Sequence, residues 1–289
     1  MRCCLACDQP FASTNGWTCP ACGFLPTTRN GITFFASEVS ESAKSFPEVF
    51  EDLFQFEASN FWFRSRNKLL LWAIGKYFPH ARNFLEIGCG TGFVLSGIRE
   101  SFPSINLCAS ELYEKGLLLA RQRLSDIDFL QMDARQIPYR EEFDLIGAFD
   151  VLEHIEEDEL ILRQMRKAVR TAGGIMLTVP QHKFLWSSMD DYSRHLRRYT
   201  AQDLQQKVER AGFKISHMTS FVSLLMPLMF FARLTRKQVN TEVDAFSEFR
   251  MSRMLNKMLE GLMDFERIFI KLGISFPAGG SLLVVARTV

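Results

Sequence analysis

Residues 84–94 read FLEIGCGTGFV, an apolar run that leads into three glycines at alternate positions, Gly88, Gly90 and Gly92. Glycine accepts positive φ and lets a ligand touch the backbone, so this spacing is typical of a strand that turns sharply into a helix. A helix that begins there presents free N–H groups. Residue 93 is Phe, so the pattern is not the G-x-G-x-x-G dinucleotide fingerprint. Either a ligand-binding loop or a tight turn without a ligand fits it.

From residue 83 onward, the chain alternates short apolar runs with longer segments of helical character. The runs are NFLEIG (83–88), INLCAS (105–110), IDFLQM (127–132), FDLIGAF (143–149), GIMLTVP (174–180), FKISHMTSF (213–221) and SLLVVART (281–288). This alternation predicts an α/β fold, a parallel sheet with helices on both faces. The last run fits the antiparallel edge strand that such sheets often carry.

Acidic residues follow three of these runs, namely Glu111, Asp133 and Asp150. Ligands in such sheets bind at the carboxyl ends of the strands. Glu111 stands about twenty residues past the glycines, where a carboxylate binds ribose hydroxyls, and Asp133 is placed to accept from an exocyclic amine. Each acid alone fits a solvated strand end, but all three with the glycine loop favour a nucleoside site.

Four features of the sequence are typical of one family: LEIGCGTG, Glu111, the Met-Asp-Ala at 132–134 and FDVLEHI (149–155). From about residue 60 onward, the chain resembles the class I S-adenosylmethionine-dependent methyltransferases. The resemblance implies a Rossmann-like seven-stranded sheet of order 3-2-1-4-5-7-6, with the seventh strand antiparallel. It implies that Glu86 and the Gly88–Gly90 backbone hold the methionine moiety of the cofactor. The predicted cofactor-binding residues are Glu86, Gly88, Cys89, Gly90, Gly92, Glu111, Leu112, Asp133, Ala134 and Asp150.

Two histidines, His154 and His195, are candidate catalytic residues because they follow the fourth and fifth strands. Methyl transfer from a sulfonium depends mainly on alignment, and a base is needed only where the acceptor carries a proton of high pKa. His195 is the candidate base, whereas His154 also fits a packing residue at a helix start. A second resemblance concerns a metal. The ubiquinone-biosynthesis O-methyltransferases bind magnesium at a Glu-x-x-Glu-His cluster, and this chain has Asp150, Glu153 and His154 at the matching positions, with Asp in place of the first Glu. Histidine is an unusual ligand for magnesium.

Two basic segments leave alternatives open. The stretch HLRRY (195–199) contains Arg197 and Arg198. These arginines either bind an anionic acceptor through bidentate hydrogen bonds or pair with Asp190 or Asp191. The stretch NFWFRSRN (60–67) resembles the aromatic-arginine helix of one methyltransferase subgroup. It either closes over the cofactor, with Trp62 and Phe63 against it and Arg64 or Arg66 on a carboxylate, or packs as an ordinary helix.

Five of the seven cysteines lie within the first 22 residues. The two pairs Cys4-x-x-Cys7 and Cys19-Pro-Ala-Cys22 have the spacing of a four-thiolate zinc site, which is closed and therefore structural. Cys3 is a neighbour whose spacing fits less well. The N-terminus lacks the apolar core of a signal peptide, so we expect a reducing, cytoplasmic location, with membrane-peripheral contact as an extension.

We expect three regions: a zinc ribbon over 1–36, a helical cap over 37–80, and the methyltransferase domain over 81–289 with a helical lid insertion at about 222–278. The insertion is rich in Met, Phe and Leu, which suits an adaptable apolar wall. Its Arg233, Arg236 and Lys237 end an apolar stretch, as in a helix lying on a membrane surface. The alternative is a two-helix cap that completes the core.

The composition restricts the partners. With 289 residues, 47% of them hydrophobic, and a net charge of +1, the chain is neither disordered nor a strong electrostatic binder of nucleic acid. No apolar run is long enough for a polytopic membrane protein. The apolar insertion together with Arg197 and Arg198 leads us to expect O- or C-methylation of a small or lipid-linked, anionic acceptor. Two alternatives stay open. The ribbon resembles the N-terminal zinc segment of ribosomal-RNA guanine methyltransferases, which implies an RNA substrate, and a non-catalytic zinc adaptor is the third class. The oligomeric state is not predicted.

Overall fold

The computed structural model describes residues 1–12, 16–36, 48–235 and 251–289. Its strands are β1 (Arg2–Cys3), β2 (Pro10–Phe11), β3 (Thr27–Arg29), β4 (Ile32–Phe34), β5 (Asn83–Ile87), β6 (Asn106–Glu111), β7 (Asp128–Gln131), β8 (Phe143–Phe149), β9 (Val169–Pro180), β10 (Phe213–Phe221) and β11 (Ser281–Thr288). Its helices are α1 (Glu48–Phe56), α2 (Phe61–Tyr77), α3 (Phe93–Ser101), α4 (Glu114–Arg123), α5 (Asp158–Ala168), α6 (Ser188–Tyr192), α7 (Ala201–Arg210), α8 (Met226–Thr235) and α9 (Arg253–Lys271).

The large sheet has the order β10-β11-β9-β8-β5-β6-β7-β4-β3. Numbered from β5, its seven core strands follow the predicted order 3-2-1-4-5-7-6. Strands β5 to β9 run parallel to one another, and β11 is antiparallel to both β9 and β10. The last run is therefore antiparallel as expected, but it lies inside the sheet and β10 takes the edge. The predicted fold class is therefore confirmed.

Helices cover both faces of this sheet, and the buried side chains of β5 illustrate this. Its residues from Phe84 to Ile87 are all buried, and alternate side chains point to opposite faces of a strand. Phe84 packs in the core cluster that contains Leu70 of α2, and Leu85 packs in the cluster that contains Ile161 of α5. The near-continuous apolar runs of the sequence are thus those of strands covered on both sides.

The N-terminal segment is part of this sheet. Its β3–β4 hairpin extends the seven core strands to nine, because β4 runs parallel to β7, with Ile32 opposite Phe129. The backbone N–H of Phe35 donates to the carbonyl of Gln131 at 2.8 Å. The ring of Trp17 packs edge-on against those of Phe35 and Tyr139, at 4.5 and 5.4 Å between centroids. Residues 1–36 are therefore attached to the core by both hydrogen bonds and apolar packing.

The predicted insertion contains α8 and α9, whereas residues 236–250, with Arg236 and Lys237, lie outside the described residues. Helix α9 packs along α2, where Glu260 accepts from Arg64 at 2.5 Å and from Lys68 at 2.9 Å. Glu266 is buried and accepts from three backbone N–H groups of the turn after β10 at 2.6–2.8 Å. These contacts fix α9 to the domain. Among the described helices, none is both long enough and apolar enough to cross a bilayer.

Candidate active site

A cavity of about 1050 Å³ opens where the parallel strands end. All the predicted cofactor-binding residues line it except Gly92. Gly92 instead begins α3 with φ 76°, and a Cβ at this position would stand 2.9 Å from that of Ala120. Its role is close packing between α3 and α4. The cavity is slightly larger than the roughly 300–1,000 Å³ that is usual for small-molecule sites.

The glycine loop brings its backbone to the cavity wall. Gly88 has φ 66°, and a Cβ there would lie 2.6 Å from a methyl carbon of Val151, so that no other residue fits without a shift. The N–H of Gly90 donates to Glu111 Oε2 at 3.1 Å. The loop and the carboxylate after β6 are therefore held together as one unit.

Glu111 is buried and oriented by its own backbone. Its Oε1 accepts from the N–H groups of Leu112 and Tyr113 at 2.7 and 3.2 Å. Burial raises the pKa of this carboxyl, although the backbone donors oppose the shift. A carboxylate held in this way at the end of the second central strand is suited to accept from two ribose hydroxyls.

Glu86 supplies an unsatisfied acceptor in the same cavity. It is buried, and its Oε2 has no hydrogen-bond partner among the described residues. Burial raises the pKa of Glu86 well above its usual range. Buried polar atoms are nearly always paired, so this oxygen fits a ligand that donates a hydrogen bond, as the ammonium of a methionine moiety does.

The other two predicted cofactor acids are paired with arginines. Asp133 accepts from Arg135 Nη2 at 2.6 Å; burial acts to raise its pKa, but the hydrogen bonds from Arg135 outweigh this and the net pKa is lowered. Asp150 has φ 58° and forms an ion pair with Arg66. The guanidinium of Arg66 lies 4.6 Å from the Trp62 ring, and Trp62 and Arg66 both line the cavity. Closure of this helix over a cofactor stays a prediction.

His195 reaches the cavity from the loop after β9, where Asp190 holds it. Its Nδ1 lies 2.8 Å from Asp190 Oδ1, and Asp190 is fully buried. Burial acts to raise the pKa of Asp190, but hydrogen bonds from His195 and Arg198 outweigh it and lower the pKa below its usual range. A proton on Nδ1 suits the ionised carboxylate, and in that tautomer of the neutral ring Nε2 is the acceptor. Nε2 lies 3.9 Å from Glu153 Oε1.

Asp190 is the functional residue that the sequence analysis missed. It appeared there only as a partner for an arginine, not as the group that orients His195. The signal was the capping box Ser187-x-x-Asp190, in which Asp190 accepts from the Ser187 N–H at 2.8 Å and thereby starts α6. A helix of five residues gives too little periodicity to be recognised in the sequence.

Arg197 and Arg198 both pair with carboxylates of the chain, which is one of the two alternatives expected for them. Arg198 donates to both oxygens of Asp190 at 2.7 and 2.9 Å. Arg197 pairs with Asp158 at 2.9 Å rather than with Asp190 or Asp191. Carboxylates of the chain therefore satisfy both guanidinium groups without an anionic acceptor.

The donor set does not fit the magnesium site that the resemblance implied. Asp150 is occupied by Arg66. The remaining donors, Glu153, His154 and His195, have ligand atoms within 4.8 Å of one another, but two of the three are imidazoles, whereas magnesium prefers oxygen. We derive no chemical step through magnesium.

Because the pKa of His154 is lowered, we expect the protein to lose stability in acid. Burial, and then the nearby His195, lower the pKa of His154 to about 4, whereas an unfolded His titrates near 6.5. Between these values the unfolded state binds a proton that the folded state lacks, so the free energy of unfolding falls as the pH falls, by on the order of 3 kcal/mol. Urea unfolding of the wild type and of His154→Gln at about pH 7 and about pH 4.5 should show a smaller acid loss for the variant. Equal losses would contradict this account.

The four predicted zinc ligands form a compact cluster. The sulfurs of Cys4 and Cys22 lie 3.6 Å apart, and those of Cys7 and Cys19 lie 3.7 Å apart. A tetrahedron with zinc–sulfur bonds of about 2.3 Å has sulfur–sulfur edges of about 3.8 Å. The four thiols therefore fit a zinc ion, while Cys3 Sγ lies instead 3.2 Å from Asp8 Oδ1.

The sheet order, the glycine turn after the first central strand and the carboxylates after the next strands together define the Rossmann-like methyltransferase class. Residues 36–218, more than half of the chain, match the Methyltransferase domain family. The chain belongs to that family, and the predicted enzyme class is confirmed at this level.

Individual relatives match shorter segments. The ajmaline N-methyltransferase of Rauvolfia serpentina is 26% identical over 161 residues, which cover 51% of this chain and 51% of the relative. The malonyl-[acyl-carrier protein] O-methyltransferase of Haemophilus ducreyi is 31% identical over 99 residues, or 32% and 38% of the two chains. The chain thus spans about half or less of the length of these curated relatives.

Solved structures share the fold at low identity. In a Haloferax volcanii complex of the Trm112 methyltransferase activator with a methyltransferase, one chain has a TM-score of 0.55 at 13% identity, covering 87% of this chain and 97% of that one. The phosphoethanolamine N-methyltransferase 2 of Haemonchus contortus, solved with S-adenosylmethionine, has a TM-score of 0.51 at 15% identity, with 77% and 52% covered. These similarities support the fold alone.

Proposed function

We propose that this chain transfers a methyl group from S-adenosylmethionine to a small or lipid-linked acceptor with an apolar body. One observation carries the proposal. A single cavity is lined by Glu111 and the glycine loop, by His195, and by apolar side chains of the insertion. A donor bound beside Glu111 and the glycine loop (the cofactor end) would direct its methyl group toward His195 and the apolar side chains (the acceptor end).

The cofactor end is assigned residue by residue. Glu86 and the backbone of Gly88 and Gly90 would hold the methionine moiety, Glu111 the ribose, and Asp133 with Ala134 the adenine. Leu112, Cys89 and Asp150 complete this end of the wall. The bound cofactor supplies the electrophilic methyl group. Cys89 is buried, and burial raises the pKa of its thiol well above the usual range, which supports packing rather than nucleophilic chemistry.

The acceptor end is built largely by the insertion. Its wall includes a set of apolar side chains from the turn after β10, from α8 and from the start of α9: Val222, Leu225, Met229, Met251 and Leu259. Unbranched methionines adapt to irregular apolar shapes. Because Arg197 and Arg198 are both occupied, this wall favours an acceptor recognised by its apolar body rather than by a negative charge. The ajmaline and malonyl-[acyl-carrier protein] methyltransferases take their names from small or carrier-linked acceptors, which supports the proposed class.

His195 and His154 are the proposed catalytic pair. The bound cofactor would supply the methyl group to an acceptor oxygen or carbon, and His195 Nε2 would take the proton that this acceptor atom loses. The Asp190 carboxylate at 2.8 Å from Nδ1 stabilises the imidazolium that forms. The ring of His154 stands edge-on to that of His195 at 4.8 Å between centroids, which limits the rotation of His195.

The ribbon, the cap and the catalytic domain are proposed as the three regions of the chain, with boundaries at 36 and 80. The family match, which begins at residue 36, supports the first boundary. The ribbon is proposed to be structural, and the sulfur distances support a zinc ion there. An RNA substrate is disfavoured because Trp17, a candidate stacking residue, packs against Phe35 and Tyr139 and stacking platforms need an exposed ring.

Replacing His195 by Gln is expected to lower methyl transfer by about 100-fold or more, which is typical of a lost general base, with little change in affinity for S-adenosylhomocysteine. The assay follows tritiated methyl groups from S-adenosylmethionine into a lipid extract, a polar metabolite extract and total RNA. His80→Gln is the matched control, because His80 is exposed and outside the cavity wall. Labelling of RNA alone would favour the nucleic-acid alternative, and no labelling of any fraction would favour the adaptor. Unchanged transfer by His195→Gln would remove His195 from the chemistry.

A further inference from the structure

The outer face of α9 carries an apolar stripe. Its members are between 53% and 82% exposed, and they are Met254, Met258, Phe265, Ile268 and Leu272, the residue after the helix. Their spacings of four, seven, three and four residues place them on one side of an α-helix. The opposite side is formed by the buried residues Leu259, Met263, Glu266 and Ile270. The stripe therefore faces away from the domain.

The acidic residues of α9 are all held by the protein. Glu260 pairs with Arg64 and Lys68, and the hydrogen bond from Arg64 is the main reason that its pKa is lowered to about 2. Asp264 pairs with Lys68 at 3.0 Å and with Arg267 at 2.7 Å. Glu266 is buried beneath the turn after β10.

The exposed charges of α9 are therefore cations, and they flank the stripe. Arg253, Lys257 and Lys271 are all exposed, and at 100° per residue they fall along one edge of it. A second copy of this face would bring cations against cations, since Arg253 and Lys271 stand at the two ends of the helix. An apolar stripe edged by cations is instead the pattern of a helix that lies on an anionic lipid surface.

The same insertion forms the cavity wall. Leu228 of α8 lines the cavity and is also 62% exposed, so the apolar wall reaches the surface there. Leu259 of α9 lines the cavity from the buried side of the helix that carries the stripe. An acceptor held in a lipid layer would thus be close to an apolar route into the site.

We propose that the outer face of α9 docks on an anionic lipid surface, with its stripe in the boundary between headgroups and acyl chains. This deepens the proposed function, on which it rests, by making the acceptor one that is presented from a lipid layer.

Flotation with vesicles tests the proposal. The full chain should bind vesicles of equal parts phosphatidylglycerol and phosphatidylcholine at low salt, and bind phosphatidylcholine alone more weakly. Phe265→Glu combined with Ile268→Glu should weaken binding by at least about tenfold, because two apolar contacts are replaced by two anions. Lys257→Gln should weaken it by about fivefold, corresponding to about 1 kcal/mol per cation. The matched control is Leu118→Glu, which alters an apolar residue on α4 that is 40% exposed.

The outcomes separate the two proposals. Thermal stabilisation by S-adenosylhomocysteine reports folding and the cofactor site in every variant. If the wild type shows this stabilisation but does not float with anionic vesicles, or if the α9 variants float as well as the wild type, the lipid proposal is overturned and the methyltransferase proposal stands. A dimer that the α9 substitutions dissociate, without vesicle binding, would overturn it in favour of a second copy. If the wild type is not stabilised by S-adenosylhomocysteine, the proposed function fails whatever the vesicles show.

Discussion

Glu111→Gln is expected to weaken S-adenosylhomocysteine binding by about 100-fold. The carboxylate is proposed to accept from both ribose hydroxyls, and a hydrogen bond to a charged group contributes about 1.5–3 kcal/mol. The substitution keeps the shape of the side chain but replaces one acceptor oxygen by a donor. It also weakens the contact from the Gly90 N–H at 3.1 Å, so part of the loss would come from the glycine loop. Titration calorimetry with the full chain measures the change.

The matched control is Glu114→Gln, three residues further along. Glu114 begins α4, pairs with Arg29 at 2.7 Å and is outside the cavity wall. It should bind S-adenosylhomocysteine as the wild type does. An unchanged affinity in Glu111→Gln would show that the nucleoside lies elsewhere in the cavity and would remove the assignment of the ribose.

Cys19→Ser is expected to release the zinc ion and to lower the Tm of the whole protein by about 5–10 °C. The buried core of the ribbon consists of Cys4, Phe11 and Cys19, which is far too little apolar surface to fold without a metal. Because β4 pairs with β7, loss of the ribbon would also disturb the cofactor site. The side chain of Gln131 accepts from the Ala36 N–H at 3.2 Å and donates to the carbonyl of Leu112 at 2.8 Å. S-adenosylhomocysteine affinity should therefore fall by about tenfold, or about 1.4 kcal/mol.

Cys3→Ser provides the control for this experiment. Cys3 is buried beside the cluster but lies outside the group of four sulfurs. The variant should retain one zinc per chain by elemental analysis, with the cofactor affinity of the wild type. Loss of zinc in Cys3→Ser would mean that Cys3, rather than Cys4, is a zinc ligand. A metal-free protein with unchanged Tm and affinity would contradict a structural role for the ion.

The core strands could be predicted from the sequence because each is a dense apolar run between turn residues. The run 83–88 became Asn83–Ile87, and the run 281–288 became Ser281–Thr288 without a shift. The β3–β4 hairpin could not be predicted. Its two strands have three residues each, and Thr27–Arg29 is fully exposed. Such short strands form only because β7 offers a free edge, which is a tertiary property.

The residues proposed for the cofactor come together in one cavity because they lie at the ends of the strands or in the glycine turn, so local sequence fixes their place. The partners of the arginines depend instead on the tertiary structure. Arg197 reaches Asp158, 39 positions earlier, and Arg66 reaches Asp150, 84 positions later. Charge patterns alone do not show which carboxylate an arginine will meet. The orientation of His195 by Asp190 has the same origin, since it depends on a short capped helix.

The pairing of β4 with β7 also bears on how the chain avoids self-association. Phe129 and Leu130 of β7 are buried, and removal of the first 47 residues would leave this apolar strand as a bare sheet edge. Unpaired edges of that kind are templates for aggregation. The hairpin replaces it with the short, polar edge of β3, whose exposed Arg29 acts as a gatekeeper against strand addition by another chain. The hairpin thus covers the apolar edge of β7 in addition to its contact with Gln131.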